Sequence, residues 1–128
     1  MPESEKITIN MNAVDLGKVD LLVQEGVYSN RTDFIRTAIR NLLDKHNLEI
    51  QQSVGRYSYG IGVFGYNRKD FERLKAGGDK IKFTVIGMLV LNNDIPADLA
   101  AEVVEEVQVR GIFQASAAVK TALADRMK

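Results

Sequence analysis

The six residues Lys6-Ile7-Thr8-Ile9-Asn10-Met11 alternate strictly between polar and apolar side chains. A period of two predicts a strand, with Ile7, Ile9 and Met11 on one face and Lys6, Thr8 and Asn10 on the other. That strand constrains the fold severely, because no second strand succeeds it for about fifty residues. The residues after Met11 read as helix instead. Asn12, with Asp15 three residues on, suits an N-cap, and Leu16, Val19, Leu22 and Val23 recur at helical spacing up to a stop at Gly26. Ser29 is expected to cap a second helix, whose inner face runs Phe34, Ile35, Ala38, Ile39, Leu42 and Leu43 and ends near Lys45.

A strand and two helices in roughly forty residues are too few to bury a core alone. Pairing the strand with its copy in a second subunit across a two-fold axis gives it a partner and closes the core. Ile7, Ile9 and Met11 with Phe34, Ile35 and Ile39 would then form the centre of the dimer. The resulting ribbon would expose Lys6, Thr8 and Asn10 twice on one face, and a two-stranded ribbon fits a DNA major groove.

With its KITINMN strand and GVYSNRTDFIRTAIRNLL second helix, the segment Lys6 to Lys45 resembles the ribbon-helix-helix DNA-binding domain of the CopG/Arc/MetJ class. The resemblance covers the first third of the chain. It implies that Lys6, Thr8 and Asn10 read bases, and that Ser29, Asn30 and Arg31 anchor a phosphate at the start of the second helix. Charge adds little, since residues 1–50 hold six bases against eight acids, and the remainder eleven against nine. Binding must therefore rest on a few placed cations. Arg36 and Arg40 are expected to be solvated or paired with Asp33 and Asp44.

Residues 47–58 are polar and read as a linker. Beyond them Gly62-Val63-Phe64, Gly87-Met88-Leu89 and Gly111-Ile112-Phe113 each set a glycine before two apolar residues, at separations of 25 and 24. Helical stretches come after each one, at Lys69 to Leu74, Ala97 to Val107 and Ala117 to Met127. Residues 59–128 are thus expected to form a small α/β module of repeated strand–helix units with parallel strands. A leucine-rich-repeat-like solenoid is one candidate. The other is a compact α+β sensor domain of the kind found in nickel-responsive regulators, but with no cysteine and His46 as the one histidine, nickel sensing is rejected.

Reactive chemistry is scarce. Zero cysteine removes thiolate metal sites and thiol nucleophiles, and the GxGxxG string at Gly60–Gly65 falls inside a predicted strand, where it does not bind a dinucleotide. Glu102, Glu105 and Glu106 read as a solvated face, and Tyr57, Tyr59, Phe64 and Tyr66 as half core and half surface. No enzyme, metal or cofactor is expected. Met1-Pro2-Glu3-Ser4-Glu5 is acidic and polar, unlike a signal peptide, which sets a cytoplasmic expectation. The sequence reads as an α+β homodimer that binds double-stranded DNA as a transcriptional regulator. Its C-terminal module serves oligomerisation, as far as a tetramer, or an effector. The alternative is an antitoxin or scaffold whose second half holds a protein partner.

Overall fold

The computed structural model of the chain describes residues 4–57 and 59–128, leaving aside the Tyr57 side chain. The acidic start at residues 1–3 and the last linker residue, Ser58, lie outside them, as does any part for the Tyr57 ring in an aromatic patch. The chain divides into two compact units, Lys6–Ser53 and a second whose body is Val54–Lys128.

In the first unit residues 4–12 carry no regular secondary structure, so the strand expected at Lys6–Met11 is not formed within a single chain. A strand exists through hydrogen bonds to a neighbour. α1 (Ala13–Gln24) starts as the sequence predicts, with the Asn12 side chain accepting the Asp15 N–H at 2.8 Å, and Gly26 lies beyond its end at φ +79°. α2 (Arg31–Lys45) is capped by Asn30 and not by Ser29. Both residue types cap well, and the cap went to the one whose oxygen meets the Asp33 N–H, at 2.8 Å. The segment expected as a linker is helical, α3 spanning Asn47–Tyr57, and the division between the units falls within it. Polarity there misleads, since Leu, Glu, Gln and Arg are all good helix formers.

The second unit runs β1 (Gly60–Tyr66), α4 (Arg68–Ala76), β2 (Ile81–Leu91), α5 (Ala97–Val103), β3 (Val104–Gln114) and α6 (Ala117–Ala122), then a 3-10 turn at Ala124–Arg126. The strands form a parallel sheet in the order β1-β2-β3. Parallel neighbours need crossovers, and α4 and α5 supply them. Asn67 and Asp70 cap α4 reciprocally, each side chain accepting the other's N–H at 3.0 and 2.9 Å. The helix expected over Ala97–Val107 stops at Val103. There the backbone turns extended at Val104 and the β-branched Val104, Val107 and Val109 join the ladder with β2. Glu102 therefore sits on a helix while Glu105 and Glu106 sit on a strand, and the expected helical spacing does not apply. The helix expected over Ala117–Met127 likewise shortens to Ala117–Ala122.

Phe83, Val85, Leu89 and Leu91 of β2 pack with Phe71 of α4, Leu99, Ala100 and Val103 of α5, Val107 of β3 and Val119 and Leu123 from the C-terminal end. Phe64 and Tyr66 pack against this core, with Tyr66 edge-on to Phe83 at 5.1 Å. The three glycines noted in the sequence stand side by side, Gly62 against Gly87 and Gly87 against Gly111, all at positive φ. The ladder passes through them without a register shift.

Candidate nucleic-acid interface

Lys6, Thr8 and Asn10 are exposed in the segment before α1, and so are Ile7 at 73% and Ile9 at 55%. The structure thus places the three candidate readers in one stretch of chain without fixing them against a neighbour. Met11 turns partly inward, where it lines an open cavity of about 290 Å³ with Val19, Leu22 and Phe34.

The candidate phosphate anchor lies at the α1–α2 turn. Asp33 reaches back so that its carboxylate accepts the Ser29 N–H at 2.9 Å, while its own N–H goes to the Asn30 side chain. Tyr28 meets Phe34 edge to face at 5.1 Å across the same turn. Arg31 is committed within the unit. Its Nε and Nη2 donate to both carboxylate oxygens of Asp20 on α1 at 2.7 and 2.8 Å, a bidentate pair that ties α1 to α2. The hydrogen bonds from Arg31 hold the Asp20 carboxyl below its ordinary range, desolvation opposes them and the ionic attraction adds to them; the Arg31 guanidinium is correspondingly raised.

Ser29, Asn30 and Arg31 are therefore brought together at one helix start, where first-turn N–H groups lack helical partners. Sequence reading missed Asp20 altogether. Its signal was available only in hindsight, as an acid on the polar side of α1, eleven residues before the arginine it meets. Arg36 and Arg40 are exposed, and neither forms an ion pair with Asp33 or Asp44.

Several basic residues of the second unit are paired with acids. Arg68 meets Glu72 at 2.7 Å, Lys75 meets Glu102 at 3.0 Å, and Lys128 meets Glu106 at 2.9 Å. The Lys128 hydrogen bond leads in pulling the Glu106 carboxyl down. Among the described residues no cluster of three His, Asp or Glu side chains stands ready to hold a metal, and no helix is long and apolar enough to cross a membrane.

Two capped helices follow an exposed alternating segment, and a second, α/β unit comes after them in the chain. The chain belongs to the ribbon-helix-helix transcriptional regulator family, whose model matches residues 2–120. The match runs far beyond the first third and takes in the parallel sheet. Members of the family are DNA-binding transcription regulators. Neither a curated protein nor a solved structure matches the chain.

Proposed function

We propose that the protein is a sequence-specific regulator of the CopG/Arc/MetJ kind, which reads the major groove of double-stranded DNA with a ribbon made by two copies. One observation carries this reading. The first unit leaves Ile7, Ile9, Ile39, Leu42 and Leu43 exposed, and Val19 is its one buried hydrophobic residue among those described. An amphipathic α2 and an apolar row at Ile7 and Ile9, with no core of their own to bury them, are what one half of an intertwined dimer presents. In the second copy's presence the segment Lys6–Met11 gains its ladder, Ile7 and Ile9 turn inward, and Lys6, Thr8 and Asn10 align on the outer face.

Lys6, Thr8 and Asn10 then make the base contacts, each worth about 1–3 kcal/mol of discrimination. Ser29, Asn30 and Arg31 set the register on the backbone through first-turn N–H groups and the guanidinium edge left outside the Asp20 clamp. The second unit, with a core of its own, serves oligomerisation or an effector. Selection of bound sequences from random DNA tests the assignment. The parent should return a palindromic motif, and the variant with Lys6, Thr8 and Asn10 all replaced by Ala should keep its dimer mass but return no motif. An unchanged motif from that variant would overturn the readers.

A further inference from the structure

We propose that the open edge of β1 is a self-pairing surface, on which the β1 strands of two copies join antiparallel about a two-fold axis at Val63 to make one six-stranded sheet. The two edges of the sheet are built differently. β3 carries Glu105, Glu106 and Arg110, and the chain end covers part of its outer side through a bridge between Val107 and Met127 and a Lys128 N–H donated to the Val107 carbonyl at 2.9 Å. Charges and cover are the usual protection of an edge. β1, Gly-Ile-Gly-Val-Phe-Gly-Tyr, has neither charge nor proline, pairs only with β2 among the described residues, and leaves Ile61 63% and Val63 54% exposed. A row of open N–H and C=O groups accepts an extended strand and nothing else so well.

The sequence of β1 says which strand. Laid antiparallel on itself about Val63, it sets Gly60 against Tyr66, Ile61 against Gly65 and Gly62 against Phe64, with Val63 against its own copy. Every bulky residue other than the central valine meets a glycine, so two copies close without a steric clash, as an isologous interface requires. Phe64 already lies back along its own strand, its ring 3.0 Å from where a Cβ on Gly60 would be, and a Cβ on Gly65 would meet nothing within 4 Å. The positive φ of Gly62 is not a bulge that turns the edge away, because its register with Gly87 is unbroken. This pairing is independent of DNA reading; a dimer made by the first unit would only raise the local concentration of the second strand.

The absence of cysteine makes the test clean. Across the proposed axis the two Val63 Cα atoms would stand about 4.5–5.5 Å apart, within disulfide range. Full-length Val63→Cys, checked for unchanged circular dichroism, should form a disulfide-linked dimer under mild oxidation about tenfold faster than Lys69→Cys, an exposed site on α4. Co-expressed Ile61→Cys and Gly65→Cys chains should link to each other more than either links to itself, which fixes the register. Folded Val63→Cys that links no faster than Lys69→Cys would overturn the pairing. So would preferential self-linking of Ile61→Cys, which would mean a different alignment.

Discussion

A Cβ on Gly87 would overlap the carbonyl oxygen of Gly62, and a Cβ on Gly111 would overlap that of Gly87. Both glycines also hold φ values, +133° and +125°, that L side chains rarely adopt. The hydrogen in place of a side chain is therefore what lets three strands lie at ladder distance on one level. Gly87→Ala is expected to cost on the order of 3 kcal/mol or more, combining backbone strain with overpacking. Gly55→Ala on α3, where a Cβ meets nothing within 4 Å, should instead gain up to about 1 kcal/mol of helix propensity. Urea unfolding of the two full-length variants, monitored by circular dichroism, measures the contrast. Equal midpoints would show that the glycine row is dispensable.

Between elements, the bond that orients the candidate interface is the Asp20–Arg31 pair from α1 to the first residue of α2. Both side chains are about half exposed, so its role is geometric more than energetic. Asp20 titrates lower in the folded unit than its unfolded value of about 3.9. Its contribution is then complete above that value and is lost as pH falls through the folded pKa. In carbon NMR the Asp20 carboxyl should titrate below the ordinary aspartate range, and Asp20→Asn should flatten the acid side of the helicity profile. An ordinary Asp20 midpoint would mean that the clamp is not held in solution.

For the whole molecule, the contrast between the units sets the expected behaviour. Val54–Lys128 closes a core around Phe71, Leu89, Val107 and Leu123, all fully buried. Lys6–Ser53 buries Val19 alone among its described hydrophobic residues. Folding and association of the first unit should be a single event, and its unfolding midpoint should rise with protein concentration. Ile9→Asp would place an unpaired carboxylate in the shared core, where the penalty of several kcal/mol rivals a small domain's whole stability. That full-length variant is expected to lose the helicity of the first unit and DNA binding together while the sheet unit stays folded. Circular dichroism and a gel-shift assay decide it. A midpoint independent of concentration would contradict the shared core.

Much of the fold was legible in the chain because it is local. Asn12, Gly26 and the pairs at Phe34–Ile35 and Ala38–Ile39 act within one or two helical turns, so spacing alone located α1, α2 and the Lys69–Leu74 part of α4. The recurrence of Gly62, Gly87 and Gly111 likewise pointed to parallel strands, although only the ladder put the three glycines on one level, where Gly87 and Gly111 leave free the space that the carbonyls of Gly62 and Gly87 need. Contacts between distant residues were not legible. Asp20 meets Arg31 across a turn, and Val104 leaves the helical pattern because β2 lies alongside to bond it. Polarity made α3 look like a linker, since composition reports solvent exposure and not backbone conformation. The sequence by itself determined where α1 begins and which face of α2 is apolar, because capping and amphipathic spacing are short-range. Only the tertiary structure decided which charges pair, where α5 yields to β3 and which sheet edge is left open, because each depends on a neighbour that the fold, not the chain order, supplies.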